Sequence, residues 1–402
     1  MVFQNNLLMA AASTGGVSGD GLWMSGKNAQ GQLGLGDTTN RSELTQVGED
    51  TDWARVSLNS GDRNMGVVKT DGTLWTWGQG HSGSTGHGST TNYSSPVQVG
   101  SDTDWHSVYG YGGAGFSMLA LKTTGAIYST GSNYAGAGGR GSEGNVSSFT
   151  QIGSLTDWLN SNFDDDSYAD GYPITVAAGQ YSFWVIKSDN TLWSCGYNNF
   201  GQLGVGNTTN YSSPVQVGTD TNWASLPASA GEANGMCAIR TDGTLWTWGN
   251  NSSGQLGLGD TTNRSSPVQV GSLTNYKTFT KGANTIFFTN TSNELWGFGA
   301  GAIGGGGWGS TSNYSSPIQI GSDTDWHNVI GGAYTGYATK SDGTLWAWGR
   351  NLYGQLGIGT TGAGTGNSSP VQVGTTGEYH TDFTNNCIGG GYNSVLARIR
   401  EA

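Results

Sequence analysis

Short stretches in which large apolar residues alternate with small or polar ones recur along the whole chain. The clearest is Leu245-Trp-Thr-Trp-Gly249, and its counterparts each open on an aromatic ring. A period of two is typical of β-strands with two distinct faces, and no stretch shows the period of an amphipathic helix. The opening aromatic residues are Trp23, Trp75, Tyr128, Trp193, Trp246, Trp296 and Trp346. The chain is therefore predicted to be all-β and built from repeats of roughly fifty residues.

Each repeat has the same internal order of turns and strands. A hairpin turn such as Thr70-Asp-Gly-Thr73 precedes the Leu-Trp strand, and a glycine-rich loop follows it. A strand that starts at the proline of Pro-Val-Gln-Val comes next, then an Asp-Thr-Asp-Trp turn and a β-prone stretch that leads into the next hairpin. About four strands per repeat predict the blades of a β-propeller, in which each sheet covers the face of its neighbour.

The two ends of the chain complete this pattern. Leu22-Trp-Met-Ser-Gly26 is a Leu-Trp strand without the strands that should precede it, and the chain ends after Arg398 where another such strand would be due. We predict that the N- and C-terminal strands pair in one shared blade, because a closed ring leaves no open sheet edge. Residues 1–17 carry none of the repeat features and are predicted to form an N-terminal arm, with a seven-bladed propeller over residues 18–402.

The glycine-rich loops resemble the regulator-of-chromosome-condensation repeat. Cys195-Gly-Tyr-Asn-Asn-Phe-Gly-Gln-Leu-Gly204 shows the motif intact apart from its opening aromatic, whereas Phe298-Gly-Ala-Gly-Ala-Ile-Gly304 is a degraded copy. The resemblance covers roughly residues 20–402 and implies a seven-bladed β-propeller. That family usually has a histidine in the inner strand after the glycine pair. Because small polar residues occupy the position here, functions that depend on those histidines are not expected; the residues are Asn64, Ser117, Ser182, Thr285, Thr335 and Asn393.

Composition and charge exclude several classes of partner. The chain has 16 basic and 28 acidic residues, a net charge of −12, and its lysines and arginines are scattered. It therefore lacks the basic footprint of a protein that binds nucleic acid or anionic lipid. No apolar run is long enough to span a membrane, and the first thirteen residues make a poor signal peptide. Cys195, Cys237 and Cys387 are predicted to be buried as small apolar residues, with one disulfide as the alternative.

The sequence contains no recognisable catalytic constellation. The glycine-rich loops lack the lysine of a phosphate-binding loop and are predicted to be turns between blades, with recurring asparagines bonding the local backbone. The Asp-Thr-Asp-Trp segments offer too few oxygen ligands for calcium, so their aspartates are expected to cap turns. No nucleophile lies beside a base and no carboxylate pair stands out. We therefore expect no enzyme activity, no cofactor and no metal.

Two irregularities are the candidate ligand-binding sites. An insertion over residues 159–173 combines a run of aspartates with aromatic rings, which would suit a sugar, a cationic partner or calcium; a solvated loop without a role is the alternative. The second is a tryptophan in a run of glycines, either exposed or filling space. The predicted ligand-binding residues are Phe163, Asp164, Asp165, Asp166, Tyr168, Asp170, Tyr172 and Trp308.

The function predicted from these features is non-catalytic binding. Charged residues make up only 11% of the chain, and the first thirteen residues resemble the start of some tailed-phage structural proteins. This resemblance implies a virion surface protein that binds a host surface protein or glycan, located on the virion or an extracellular surface, or otherwise in the cytoplasm. The arm would dock on other virion proteins through Phe3, Leu7, Leu8 and Met9.

Two alternatives to the virion role stay open. One is a soluble protein-interaction propeller that acts as a regulator or an enzyme inhibitor. The other, implied by the repeat resemblance, is a nucleotide-exchange factor for a small GTPase. The acidic composition and the lack of a basic tail or an evident inserted wedge count against the exchange factor.

Overall fold

The computed structural model describes residues 21–56, 63–110, 117–142, 144–158, 175–227, 234–332, 334–352, 356, 358, 360, 366–373, 389–390 and 394–398. Within these residues the chain forms seven four-stranded antiparallel sheets, each a blade of a β-propeller. The strands are β1 (Leu22–Gly26), β2 (Arg41–Gln46), β3 (Trp53–Val56), β4 (Asn64–Lys69), β5 (Leu74–Gly78), β6 (Tyr93–Gln98), β7 (Trp105–Gly110), β8 (Ser117–Lys122), β9 (Ile127–Gly131), β10 (Val146–Gln151), β11 (Val176–Ala178), β12 (Ser182–Ile186), β13 (Leu192–Gly196), β14 (Tyr211–Gln216), β15 (Trp223–Ser225), β16 (Gly235–Arg240), β17 (Leu245–Gly249), β18 (Arg264–Gln269), β19 (Tyr276–Lys281), β20 (Thr285–Asn290), β21 (Leu295–Gly299), β22 (Tyr314–Gln319), β23 (Trp326–Gly331), β24 (Thr335–Lys340), β25 (Leu345–Gly349), β26 (Asn367–Val373), β27 (Gly389–Gly390) and β28 (Ser394–Arg398).

Six blades are built from four strands that are consecutive in the chain, for example β3-β4-β5-β6 and β19-β20-β21-β22. The first strands of neighbouring blades contact each other, as β3 does with β7 and β19 does with β23. Among the described residues, short 3₁₀ turns follow third strands at His81–Gly83, Tyr134–Gly136 and Ala302–Gly304. No described helix is long and apolar enough to cross a membrane.

The seventh blade joins the two ends of the chain and confirms the predicted closure. Its strands lie in the order β2-β1-β28-β27, so the C-terminal segment supplies the first two strands and the N-terminal segment the last two. β1 and β28 pair antiparallel, with Leu22 opposite Arg398 and Gly26 opposite Ser394. Each edge of β1 therefore has a partner strand, which satisfies backbone groups that an open ring would expose.

The apolar core lies between successive blades. At the junction after the shared blade, Leu22 and Met24 from β1 pack with Trp53 from β3 and Trp77 from β5. In the Leu-Trp-x-Trp-Gly strands the second tryptophan is fully buried and the first is partly covered. Alternating side chains therefore serve the two faces of each sheet, and large rings fill the gap between sheets that contain many glycines.

The fourth strands differ from the prediction at their starts. The sequence placed the beginning of each at the proline of Pro-Val-Gln-Val, but β6 begins three residues earlier, at Tyr93. The register between β5 and β6 shifts between Thr76 and Gly78, which face Val97 and Tyr93 respectively. Pro96 therefore lies within a bulge of an outer strand, where its missing N–H removes no regular ladder hydrogen bond.

Because successive strands of a blade run antiparallel, the connections between them lie alternately on the two faces of the propeller. The face we call the Asp face carries the hairpin turns between second and third strands and the connections from each fourth strand to the next blade. The opposite face, the loop face, carries the turns between first and second strands and the glycine-rich loops between third and fourth strands. The hydrogen bond from Trp105 N to Gly72 O joins the two types of Asp-face connection.

Candidate functional site

The glycine-rich loops of the loop face are organised by a buried asparagine. Asn251 is fully buried. Its side-chain oxygen accepts a hydrogen bond from Leu256 N at 2.9 Å, and its amide group donates to Asp260 O at 3.0 Å. The equivalent Asn28 and Asn198 make the same contacts in their own loops. The prediction that these asparagines bond the local backbone is confirmed, and each one fixes a whole loop rather than a single turn.

The same loops form the contact between one blade and the next. A Cβ added at Gly254 would lie 2.6 Å from Cα of Ser315 in the following blade, and Gly254 has a φ of +75° that favours glycine. Trp248 donates its indole N–H to the backbone oxygen of Gln202 in the preceding loop at 2.8 Å. These contacts confirm the prediction of blade-to-blade turns and leave the loops little freedom to cradle a phosphate.

On the Asp face, a second recurring unit surrounds a cation at the end of a second strand. Lys122 lies between the rings of Trp105 and Tyr128, with its Nζ 4.9 and 5.5 Å from the two ring centroids. The same Nζ contacts Asp102 at 2.6 Å and Asp104 at 2.9 Å. The ammonium group is thus held by cation–π attraction on its sides and by carboxylates towards solvent.

Within the described residues, five blades contain this cation unit, which combines a basic side chain, two aromatic rings and one or two aspartates. The basic residues are Lys69, Lys122, Lys187, Arg240 and Lys340. Their aspartate partners are Asp50 and Asp52, Asp102 and Asp104, Asp157, Asp220, and Asp323 and Asp325 respectively.

The sixth blade with this type of connection shows that the parts of the unit belong together. Asn290 takes the place of the cation there, and Leu273 and Asn275 take the places of the two aspartates. Asn290 instead donates its amide group to Glu294. Among the six repeats whose connection is described, the cation and its carboxylates are therefore present together in five and absent together in one. This pattern corrects the expectation that the Asp-Thr-Asp aspartates cap turns, because their carboxylates neutralise a nearly buried cation.

The ion pairs change the protonation equilibrium of these lysines. Burial lowers the pKa of Lys122, but hydrogen bonds to Asp102 and Asp104 outweigh that effect and hold the pKa above the usual 10.5. The pKa values of Lys69 and Lys340 are raised for the same reasons. A lysine that stays charged in a nearly buried position needs such partners, since an isolated buried charge is costly.

The hairpin turns contribute a second set of carboxylates to the Asp face. Asp71 accepts hydrogen bonds from the hydroxyl and the backbone N–H of Thr73, and these bonds lower the pKa of the carboxyl group below its usual value. Asp242 and Asp342 make the same turns in their blades. These carboxylates are exposed and accept hydrogen bonds from neutral groups, and the basic residue of the same blade lowers their pKa further without forming an ion pair with them.

The other predicted site residues are only partly placed. Trp308 is partly covered: its ring packs edge to face against Tyr314 and its indole N–H donates to Ser312 O. It therefore fills space beside its own blade's fourth strand. Two sets of predicted site residues lie outside the described residues and remain predictions. They are the insertion residues Phe163, Asp164, Asp165, Asp166, Tyr168, Asp170 and Tyr172, and the arm residues Phe3, Leu7, Leu8 and Met9.

Groups suited to catalysis or metal binding do not converge in the described part of the chain. No three His, Cys, Asp or Glu side chains there are grouped to hold a metal ion. Cys195 and Cys237 are buried free thiols, as predicted, whereas Cys387 lies outside the described residues. Burial raises the pKa of Cys237 to about 12. A thiol with that pKa is almost entirely protonated at neutral pH and is a poor nucleophile.

The fold and its loop motif define a propeller of the RCC1 type. The model of the regulator of chromosome condensation (RCC1) repeat matches residues 71–120, 189–237, 242–283 and 342–396. The crystal structure of Prp20p from Saccharomyces cerevisiae superposes with a TM-score of 0.76, covering 96% of this chain and 93% of that one at 14% identity. Human WBSCR16 superposes with a TM-score of 0.75 over 96% of this chain and 100% of that one, at 18% identity. The chain belongs to the RCC1-like repeat family.

Relatives of known sequence include proteins of very different size. The ultraviolet-B receptor UVR8 of Arabidopsis thaliana is 29% identical over 257 residues, which are 62% of this chain and 53% of that protein. The human E3 ubiquitin-protein ligase HERC2 is 26% identical over 257 residues, 63% of this chain and 5% of that protein. The matched region thus spans about half of one relative and a small part of the other, and the likeness concerns their propeller repeats.

Proposed function

We propose that this chain is a non-catalytic protein-interaction propeller whose Asp face binds a positively charged protein surface. The observation that carries the proposal is the charge of that face. Its described hairpin turns and blade connections contain 14 acidic and 5 basic residues. These segments are residues 47–52, 69–73, 99–104, 122–126, 152–157, 187–191, 217–222, 240–244, 270–275, 290–294, 320–325 and 340–344.

The cation units make the face more negative than this count implies. The side chain of Lys122 is only 13% exposed, whereas those of Asp102 and Asp104 are 55% and 41% exposed. A partner in solution therefore meets carboxylates, with the positive charges beneath them. In the units of Lys69, Lys122 and Lys340 two carboxylates surround one ammonium group, which leaves one negative charge in excess. A surface of one sign attracts an oppositely charged partner and speeds its association.

The partners of similarly folded proteins are compatible with this class of partner. Prp20p is described together with its binding to Gsp1p and histones, and yeast RCC1 has been crystallised with Kap60. Histones carry many exposed arginine side chains. Because these likenesses concern the fold at low identity, the partner of the present chain is proposed from its own charge distribution.

The test removes charge from the turns without removing their hydrogen bonds. Asp71, Asp189, Asp242 and Asp342 are changed together to Asn, which keeps the oxygen that accepts from the following threonine. With purified core histones as the cationic probe, we expect the dissociation constant at low salt to rise at least about tenfold. Isothermal titration calorimetry measures it.

A matched control removes carboxylates from the loop face. Asp37 and Asp260 pair there with Arg41 and Arg264, and the Asp37→Asn/Asp260→Asn variant should bind the probe within about twofold of the unaltered chain. Equal losses in both variants would show that binding follows net charge alone. No binding, or binding that the four Asp-face changes leave intact, would contradict the proposal.

The virion role is a separate proposal that rests on the sequence. Its support is the opening segment's resemblance to tailed-phage structural proteins and the low charge content of the chain, and binding to a host surface protein or glycan belongs to it. Mass spectrometry of purified particles from the source material tests it directly. The chain should appear beside capsid and tail proteins; its absence from particles, with the protein free in solution, would leave the soluble regulator or inhibitor.

A further inference from the structure

An aromatic cluster on the loop face lies across the junction of two blades. It consists of Tyr134, Tyr181, Tyr197 and Phe200. Tyr134 follows the third strand β9, whereas Tyr181 precedes β12 and the other two follow β13 in the next blade. At 59% exposure, Tyr134 is one of the few large apolar or aromatic side chains that the described surface leaves open. The remaining three rings are partly covered.

The rings form one continuous surface. The centroid of Tyr134 is 4.9 Å from that of Tyr181 and 6.3 Å from that of Tyr197, and Tyr197 is 6.4 Å from Phe200. These are contact distances for tilted and edge-to-face pairs. A cage for a quaternary ammonium ion would need a gap between its rings, because the cation has to reach the ring faces. Rings that already contact one another form a platform instead.

The backbone under the platform is fixed by the loop architecture. A Cβ at Gly136 would lie 2.5 Å from Cα of Ser212, so the turn that presents Tyr134 is pressed against the next blade. Tyr197 N donates to Tyr181 O at 2.9 Å, and Asn198 is buried with its side-chain oxygen accepting from Leu203 N. The rings are therefore preorganised, and little conformational entropy would be lost when a ligand binds them.

The surroundings of the platform are polar and neutral. The segments that carry and flank the rings, residues 132–137, 180–182 and 197–202, contain no charged residue. This sets the platform apart from the Asp face and gives no reason to expect an ionic ligand. Asn199 is exposed beside the rings, and the phenol hydroxyls of Tyr134 and Tyr197 are neutral groups that can both donate and accept hydrogen bonds. The patch thus combines apolar ring faces with neutral donors and acceptors.

We propose that this aromatic platform binds a neutral carbohydrate. The C–H face of a sugar ring carries weak positive charge and stacks on the negative face of an aromatic ring, while its hydroxyls need neutral hydrogen-bonding groups at the edge. The four rings and the phenol and amide groups beside them supply both. A protein surface is the other class of occupant, but the described segments of the patch contain no aliphatic side chain larger than alanine to form the dry centre of such an interface. The proposal is independent of the Asp face.

Affinity electrophoresis in native gels that contain dextran, galactomannan, xylan or arabinogalactan tests this assignment. At least one of these neutral polysaccharides should retard the unaltered protein, and Tyr134→Ala should weaken the association constant about tenfold by removing the most exposed ring. Tyr134→Phe keeps the ring and should stay within about threefold. Because the Tyr134 side chain is largely exposed, the alanine variant should melt like the unaltered protein, which a thermal scan checks.

Ile303→Ala is the matched control, since Ile303 is 53% exposed on the equivalent loop of another blade. It should leave retardation unchanged, as should the four Asp-face changes. The proposal is overturned if no polysaccharide retards the protein or if Tyr134→Ala is retarded like the unaltered chain. Loss of histone binding in Tyr134→Ala without any retardation by polysaccharide would also overturn it, by assigning the rings to a protein partner.

Discussion

Deletion of residues 18–26 is expected to lower the melting temperature by at least about 5 °C, because it removes the strand that closes the ring. β1 pairs with both β2 and β28, so its loss exposes two strand edges at once. Leu22 and Met24 are also buried against the next blade. Burial of two large side chains and the lost ladder hydrogen bonds together contribute roughly 5 kcal/mol or more to the free energy of unfolding.

Deletion of residues 1–17 is the control for that experiment, since it shortens the chain but keeps β1. Its melting temperature should match that of the unaltered protein when both are followed by differential scanning calorimetry. If the 18–26 deletion melted at the unaltered temperature, the shared blade would contribute nothing to stability, and closure of the ring by the two termini would be refuted.

The second large effect is expected from the double variant Asp102→Asn/Asp104→Asn. It leaves Lys122 nearly buried between two rings without a counter-charge. Loss of a fully buried partner costs several kcal/mol, but the half-exposed aspartates in this unit reduce the effect. We expect the free energy of unfolding at pH 7 to fall by about 2 kcal/mol, as measured by denaturant titration.

The blade that contains Asn290 indicates how this loss can be compensated. Since cation and carboxylates are absent together there, adding Lys122→Met to the double variant should recover most of the lost stability. A triple variant no more stable than the double variant would show that the carboxylates act independently of the cation.

The pH dependence of the same variants gives a further check. The pKa of Lys122 is raised in the folded protein, so its ion pairs stabilise the folded state fully below pH 10.5. This stabilisation is lost as the pH rises through the pKa of Lys122 in the folded state. The difference in unfolding free energy between the unaltered protein and the double variant should therefore persist up to pH 10.5 and shrink above it. A constant difference across that range would argue against an ion pair.

The repeat pattern predicted the architecture because residue alternation and the recurrence of similar strands can both be read directly along the chain. Alternation around Trp246 identifies a strand, its recurrence identifies the blades, and the leftover strand at Leu22 indicates closure. The role of Asp102 escaped the same reasoning because its partner, Lys122, lies twenty residues away across a connection. The sequence did contain a usable signal. A basic residue before the hairpin turn occurs in the repeats that have the aspartates, and Asn290 replaces it in the described repeat that lacks them.

The candidate sites were harder to predict than the blades. Tyr134 and Tyr181 belong to different repeats and meet only because consecutive sheets pack side by side, so spacing along the chain does not reveal their contact. Trp308 stood out from the repeat consensus, but its ring packs on Tyr314. The insertion at residues 159–173 stays a prediction because it lies outside the described residues.

The proposed docking of a protein partner on the Asp face can be tested by measuring where that partner binds. Hydrogen–deuterium exchange of the chain with and without bound core histones, at low salt, reports which backbone amides become protected. Protection should concentrate in the hairpin turns around Asp71, Asp242 and Asp342 and in the adjoining connections, and should disappear as the salt concentration is raised. Protection confined to the glycine-rich loops of the opposite face would contradict docking on the Asp face.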